Sequence, residues 1–455
     1  MTFTKGDQHD PDALSDAHRI VRDSSAVDIA DRVRRLVDEN EAWRGRRCLN
    51  LIAAESPTSP AVRALLAAEV GTRASGGHIG PLTRCFAGMG TIDEIEALCV
   101  ELLRKAFDAG FADHRLMGGM AGCMAACTAL AEHGDTVMSL PPPMGGDSSG
   151  RVDGPPGVRG LRVVDIPCDH DGFTVDLDRF RAVAERHRPR LVSLNQATCL
   201  FPLPVREMKE IVAQWGGRLY FDGAHQAGLI AGGCYPNPLR EGADVLTGSG
   251  GKTFSGPQSG IIVWNDERLT RPIVNAIFPV LTGSHQINRV AALAVATAEM
   301  LEFGPDYMRR TVANAAALAA AMAEAGFDVF AGHRGYTRTH QVIVDVRAIG
   351  SGMDVAHLLE RANIVVNKML LPSDPDTPDA EPSGIRIGTV EVTRLGMREE
   401  HMSTIADLLR KVLLEHVAPE TVREEVEEFR ERFQRFYYCF SEGRPPAGPP
   451  ARRAH

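Results

Sequence analysis

Apolar residues recur along this chain in two alternating rhythms. Short unbroken runs such as "TVMSL", "LRVVDI", "RLVSLN", "RLYFD", "ADVLTG" and "GIIVW" read as strands buried on both faces. Between them lie segments of helical spacing. "TIDEIEALCVELLRKAFD" places Ile92, Ile95, Leu98, Leu102 and Phe107 on one stripe, with Thr91 and Glu94 as a capping box at its start. "GGMAGCMAACTALAEHGD" reads as a helix opened by glycine, and "VDLDRFRAVAERH" and "VREMKEIVAQWG" as helices between strands. Such alternation implies right-handed crossovers and a mostly parallel sheet. Sheets of this kind take ligands beyond the carboxyl ends of their strands.

The rhythm changes after about residue 305. "YMRRTVANAAALAAAMAEAG" and "EHMSTIADLLRKVLLEHV" are long helical segments that alternate with the strand-like "HQVIVDV", "NIVVNK" and "GIRIGT". The expected organisation is a mobile segment 1–18, a helical arm and segment 19–75, a large domain 76–304, a smaller C-terminal α/β domain 305–440 and a disordered Pro/Gly-rich tail 441–455. The arm helix "AVDIADRVRRLVDENEAW" is expected to pack on the small domain or on a partner subunit.

Composition narrows the class. With 455 residues, 44% of them hydrophobic and 24% charged, the chain reads as a soluble globular protein. A formal charge of −9 argues against nucleic acid as a partner. The sequence offers no membrane span and no apolar signal core, so a cytoplasmic location is expected. The 9 cysteines show no zinc spacing, and no metal site is expected. Cys123 and Cys127, four apart, read as small-residue helix packing.

Candidate chemistry gathers at two strand ends. Asp222 closes "RLYFD", three residues before His225, and Lys252 follows "ADVLTG" in a bed of Gly, Ser and Thr. A helix cap and a solvated loop lysine are the plain alternatives. Taken together, a carboxylate and an amine suit pyridoxal phosphate: the lysine forms an imine with its aldehyde, and the carboxylate keeps the pyridine nitrogen protonated. The cofactor's phosphate needs donors, which the helix start at Gly118, Gly119 and Met120 offers through backbone N–H groups. Ser249, Thr247 and Ser255 add hydroxyls.

Through "NLIAAESPTSPAV", "GTIDEIEALC", "FDGAHQAGLIAGGCYPNP", "KTFSGPQSG", "RANIVVNK" and "SGIRIGT", in consistent order from about residue 49 to residue 395, the chain resembles serine hydroxymethyltransferase. The resemblance implies the fold type I architecture of pyridoxal phosphate enzymes, with a mostly parallel, mixed seven-stranded sheet and a smaller C-terminal α/β domain. It implies Lys252 as the imine-forming lysine, Asp222 as the partner of the ring nitrogen, His225 as a partner of the phenolic oxygen and Arg386 as the holder of the substrate carboxylate. It also implies a homodimer whose sites draw on both subunits. "VLTGSHQ", with Gly283 as a cofactor contact, lacks an evident role within one subunit.

The chain departs from the family where folate and protons are handled. The loop that carries tyrosine and glutamate in relatives reads "TRASGGHIGPLTRCFAGMG", with glycine near position 76 in place of the glutamate, and the first tyrosine of the chain is Tyr220. Ala54 replaces a serine, Gly118-Gly119-Met120 a Ser-Gly-Ser turn, Met144 the histidine that stacks on the ring, Gly251 a histidine, Gln258 an arginine, and Met369 a polar folate contact. These changes point to a folate-independent enzyme that makes or breaks the Cα–Cβ bond of a β-hydroxy-α-amino acid, of aldolase or transaldolase type, with an aldehyde as second substrate. His78 and His285 are candidates for substrate contact and proton transfer, and Thr198 for the phenolic oxygen. Racemisation, amino transfer or β- or γ-replacement on an amino acid, folate-dependent hydroxymethyl transfer, and a catalytically silent interaction subunit remain as alternatives.

Overall fold

The computed structural model describes residues 10–375 and 381–440; the expected tail 441–455 and the first nine residues lie outside the described residues. The large sheet has seven strands, in the spatial order Phe111–Asp113, Gly260–Trp264, Val245–Ser249, Arg218–Asp222, Leu191–Asn195, Thr136–Ser139, Arg162–Asp165. All pairings are parallel except those of Gly260–Trp264, which runs against both of its neighbours. The unbroken apolar runs are those of the central strands: Leu191–Asn195, Val245–Ser249 and Gly260–Trp264 are buried at every position. Register then lines up three polar residues at one edge of the sheet, because Asn195 pairs with Asp222 and Asp222 with Thr247.

Lys252 sits in the connection between the antiparallel strands Val245–Ser249 and Gly260–Trp264. Its small neighbours are a packing requirement. A Cβ on Gly250 would fall on Ser259 Oγ, and one on Gly256 would meet Ala296 Cβ at 2.9 Å. Helix Gly119–Leu130 crosses behind this edge, burying Gly122, Cys123, Ala125, Ala126, Cys127 and Leu130. Its small side chains permit the approach, since a Cβ on Gly122 would lie 3.1 Å from Thr247 Cγ2.

Helix Gly90–Phe107 differs from its sequence reading in two ways. It starts at Gly90 behind Met89, with no side-chain cap, so Thr91 and Glu94 form no capping box. Its buried face is Ile92, Glu96, Cys99, Leu103 and Phe107, while Leu98 is 56% exposed. Glu96 displaces the expected apolar stripe because charged partners meet it from elsewhere in the fold.

Helix Ile287–Glu324 runs through the expected boundary at 304/305 and carries Pro305 within it. Its N-terminal part contributes Val290, Leu293, Met300 and Tyr307 to the core of the large sheet, and its C-terminal part contributes Ala315, Leu318 and Met322 to the smaller core. The smaller sheet is antiparallel, in the order Asp328–Val329, Gln341–Asp345, Gly384–Gly388, Asn367–Met369. "NIVVNK" divides: Ile364–Val365 pairs in parallel with Leu49–Asn50, and Asn367–Met369 joins the sheet. At the N-terminus, helices Pro11–Asp23 and Ala26–Ala42 bury no residue, and a capping box of Ser25 and Asp28 starts the second. The first begins within the stretch 1–18 expected to be mobile. Trp43 Nε1 ties the end of the arm to the small domain, donating to Asn363 Oδ1 at 2.8 Å.

One clamp joins the two strand ends. Thr253 Oγ1 donates to the His225 carbonyl at 2.7 Å and accepts from Gly228 N at 3.0 Å. A Cβ on Gly228 would fall on the Thr253 carbonyl. Gly228→Ala is therefore expected to destabilise the protein by about 1–3 kcal/mol through overpacking. The check is denaturant unfolding, with Gly90→Ala, where a Cβ meets nothing within 4 Å, as a near-neutral control.

Candidate active site

The carboxyl edge of the large sheet gathers buried ionisable groups. Asp222 Oδ1 accepts from Ala224 N at 2.9 Å, and Oδ2 accepts from Cys123 Sγ at 3.0 Å, with Ser149 Oγ 3.5 Å away. Tyr220 OH lies 2.7 Å from Thr247 Oγ1 and donates to Cys123 Sγ at 3.1 Å, which holds the thiol on the carboxylate. Burial raises the Asp222 carboxyl above its usual range, and the nearby charge of Asp147 adds to this. Lys252 is pushed the other way: burial lowers its amine, against the pull of Asp222 and Asp147. A buried amine eased toward its neutral form is a better nucleophile.

Arg386 reaches this edge from the smaller sheet, on strand Gly384–Gly388. Its Nη1 donates to the Ala197 carbonyl at 2.5 Å and its Nε to Asn367 Oδ1 at 3.2 Å. Burial lowers it to about 10, which leaves it charged at neutral pH. His225 is buried, and Gln341 Nε2 donates to its Nδ1 at 3.2 Å. With Nδ1 accepting, the neutral ring carries its proton on Nε2. Burial, then the charges of Lys252 and Arg386, hold His225 well below the usual histidine range. His340 stacks beside it at 5.7 Å and donates from Nε2 to the Ala53 carbonyl at 3.1 Å.

Helix Gly119–Leu130 begins at the same edge without a side-chain cap. Ideal Cβ positions place the start at Gly119 3.6 Å from Ala224 Cβ and 3.9 Å from Ser249 Cβ. Uncapped N–H groups at a helix start suit a dianion. Amine, carboxylate and anion cradle thus converge, and this donor set fits pyridoxal phosphate.

The structure brings Lys252, Asp222, His225, Arg386, Gly118, Gly119 and Ser249 to one edge. Met120 follows on the helix with a half-exposed side chain. Thr198 donates its N–H to the Gly145 carbonyl at 3.2 Å, next to the Ala197 carbonyl that holds Arg386. Met144 is buried in the large apolar core. The residue of that loop whose charge reaches the site is Asp147, which the sequence reading passed over although it stands as a lone acid in "GGDSSG". Cys123, read as packing, also holds Asp222. Gln341 and His340 were missed as well; their signal is the polar pair that opens "HQVIVDV".

His285 and His78 are drawn elsewhere within the chain. His285 Nε2 meets the buried Glu96 Oε1, which His114 Nε2 contacts at 2.8 Å, and Arg84 is ion-paired to the same carboxylate. The ligating atoms of Glu96, His114 and His285 lie within 4.8 Å of one another. A divalent ion there would face Arg84, Arg115 and Arg289, so the cluster reads as an ion-pair network rather than a metal centre. His78 is exposed, edge-on to Phe278 at 5.4 Å and 3.3 Å from Arg115 Nη1. Gly283 is exposed in the segment that holds the loop, where Ser284 Oγ accepts from Ser75 N at 2.8 Å.

The buried histidines set a pH response. Burial pushes His340 down to about 3, so it is neutral when folded and takes up a proton on unfolding below about pH 6.5. Its contribution is complete above that pH and falls by about 1.4 kcal/mol per unit below it. His114, at about 4, and His285, at about 3, act in the same direction. In denaturant unfolding from pH 7.5 to pH 4.5, H340Q is expected to lose stability less steeply on the acid side by that amount, with a constant offset from wild type above about pH 7.

Comparison with known proteins agrees with this geometry. The family model described as serine hydroxymethyltransferase matches residues 27–409. The chain is 44% identical over 397 residues to the serine hydroxymethyltransferase of Archaeoglobus fulgidus, covering 87% of this chain and 90% of that one. It is also 44% identical over 430 residues to that of Methanopyrus kandleri, covering 94% and 96%. A solved structure of L-threonine transaldolase from Pseudomonas fluorescens, in its internal aldimine state, superposes with a TM-score of 0.83 at 25% identity, covering 91% of this chain and 94% of that one. The mixed seven-stranded sheet is that of fold type I, and the chain belongs to the serine hydroxymethyltransferase family, as a pyridoxal phosphate enzyme that acts on an amino acid.

Proposed function

We propose that the protein makes and breaks the Cα–Cβ bond of a β-hydroxy-α-amino acid, moving a glycine unit between aldehydes without a folate carrier. In this reading Lys252 would hold the cofactor aldehyde carbon, Asp222 the ring nitrogen and His225 Nε2 the phenolic oxygen. The helix start at Gly118–Met120, with Ser249, would hold the phosphate. Bound there, the cofactor supplies an electron-accepting ring. Arg386 takes the substrate carboxylate in its planar fork, and the bonds to Ala197 and Asn367 fix that fork in place. A fixed carboxylate lets the scissile bond stand perpendicular to the ring, and orientation of this kind lowers a barrier by several kcal/mol, on the order of 7–11 at most.

The observation that carries the reading is the contrast between this set and the loop 75–88. Lys252, Asp222, His225 and Arg386 remain, whereas the loop holds neither tyrosine nor carboxylate, and its Arg84 is engaged by Asp93 and Glu96. Folate handling has lost its side chains, while amino-acid handling keeps its amine, its ring-nitrogen carboxylate and its arginine and loses the serine replaced by Ala54. The transaldolase likeness adds threonine as a donor to try, with an aldehyde as acceptor.

The same reading makes the enzyme a homodimer. Leu82 is 97% exposed on the loop, with Ile79, Phe86 and Leu98 exposed nearby in sequence, and the apolar residues of the N-terminal helices also face outward. Surface of that kind calls for cover. No helix among the described residues is long and apolar enough to cross a membrane.

The test is a panel of β-hydroxy-α-amino acids, with threonine and serine among them, assayed for aldehyde release with and without tetrahydrofolate. Release that ignores tetrahydrofolate is expected. Release only with tetrahydrofolate would assign hydroxymethyl transfer instead, and reaction of alanine without any aldehyde would assign another amino-acid chemistry. Arg386→Lys is expected to raise KM for the amino acid about 10- to 100-fold, because an ammonium cannot make the paired contact.

A further inference from the structure

Gln341 opens strand Gln341–Asp345 of the smaller sheet and is fully buried. It pairs with Gly388 on the neighbouring strand, where Arg386 pairs with Ile343, so Gln341 and Arg386 are diagonal neighbours on one face. Both reach the Ala197 carbonyl, Gln341 Nε2 at 3.1 Å and Arg386 Nη1 at 2.5 Å. The same amide nitrogen donates to His225 Nδ1 at 3.2 Å. One buried side chain therefore touches the cofactor-side imidazole and the carbonyl that seats the substrate-side guanidinium.

Backbone groups fix which way this amide points. Cys199 N donates to Gln341 Oε1 at 2.9 Å, while the Ala197 carbonyl faces Nε2. Turning the amide over would set Nε2 against an N–H and Oε1 against a carbonyl, so one orientation alone satisfies both. A third neighbour, His340 Nε2, lies 3.4 Å from the amide nitrogen, but it donates to the Ala53 carbonyl at 3.1 Å and has no lone pair to offer. The two amide protons are thereby committed to Ala197 and His225. His225 itself is buried and held well below the usual histidine range, so its ring is neutral. A neutral imidazole has one donor and one acceptor nitrogen, and an N–H aimed at Nδ1 leaves the ring proton on Nε2.

Resting on the roles proposed above for His225 and Arg386, we infer that Gln341 is a positioning residue that sets both at once. Its amide keeps His225 Nε2 a donor, as a phenolic oxygen requires, and steadies the carbonyl on which Arg386 rests, as a substrate carboxylate requires. No bond is made or broken at Gln341. It acts through its two neighbours.

The test uses wild-type, Q341E and Q341M holoenzymes carrying isotope-labelled histidine, read by nitrogen NMR. The chain has 15 histidines, and the His225 signals are those lost in His225→Asn. The shifts separate a protonated from a bare ring nitrogen, and couplings to the ring carbon protons tell Nδ1 from Nε2. Wild type is expected to show Nε2 protonated and Nδ1 bare. Q341E, whose carboxylate accepts, should move the proton to Nδ1, and Q341M, which does neither, should mix the two tautomers. Kinetics on the best substrate of the panel give the second readout. Q341E should lower kcat for aldehyde release about 10- to 100-fold, the weight of a hydrogen bond to a charged oxygen. Q341M should raise KM for the amino acid about 2- to 10-fold, the weight of one neutral hydrogen bond. A wild-type His225 with its proton on Nδ1 overturns the inference even if neither variant folds. The wild-type tautomer in both variants overturns it too. Inversion with undiminished release overturns the part played through His225, and an unchanged KM in Q341M overturns the part played through Arg386. A wild type with Nε2 protonated that releases no aldehyde from any panel member instead overturns the Cα–Cβ reading and leaves the tautomer assignment standing.

Discussion

A primary amine and a carboxylate leave water together only when each answers the other's charge. In this fold the two are Lys252 and Asp222, which feel each other's charge without touching, and adjacent strands carry them to the same sheet edge. Asp222 closes one strand, Thr247 pairs with it on the next, and Lys252 follows in the turn beyond. Burial works against both charged forms, raising the acid and lowering the base, while their mutual attraction opposes it. The surrounding bonds hold this balance. Thr253, beside the lysine, clamps the backbone of His225 and Gly228 beside the aspartate. Cys123 and Tyr220 form a chain behind the carboxylate.

The smaller domain supplies the second half of the site. Arg386 crosses to the Ala197 carbonyl, and Gln341 donates both to that carbonyl and to His225. Gly388, two residues beyond Arg386, leaves room for the backbone at Ala53, whose carbonyl takes His340. A single helix, Ile287–Glu324, lies in both cores. Arg386 therefore keeps its spacing from Asp222 and Lys252 through a continuous packed path rather than through a loose hinge.

The sequence made the large sheet readable because strands buried on both faces appear as unbroken apolar runs, and "RLVSLN" and "GIIVW" could be little else. Asp222 was readable because a charged residue that ends such a run has lost its apolar neighbours on one side only, and Lys252 because it stands alone in a bed of Gly, Ser and Thr just past another run. The rest depended on contacts distant in sequence. Glu96 lies off the apolar stripe that the sequence marks on its helix, and it is buried because Arg84, His114 and His285 meet it in space, the last 189 residues away. The same contact engages His285, which the sequence alone did not show. Thr91 and Glu94 had capping-box spacing, but the helix already begins at Gly90. Asp147 sits in a loop with no periodicity, and only the fold shows that it shares Ser149 with Asp222. The residues 49–50 and 364–365 carry no local sign that they pair.

Chemical trapping of the amine gives the most direct measurement. The cofactor-loaded protein would be treated with borohydride, digested and mapped by mass spectrometry. A single pyridoxyl addition is expected on the peptide containing Lys252, absent when that lysine is replaced. Stable addition at a different lysine, or a loaded protein in which none is modified, would contradict it.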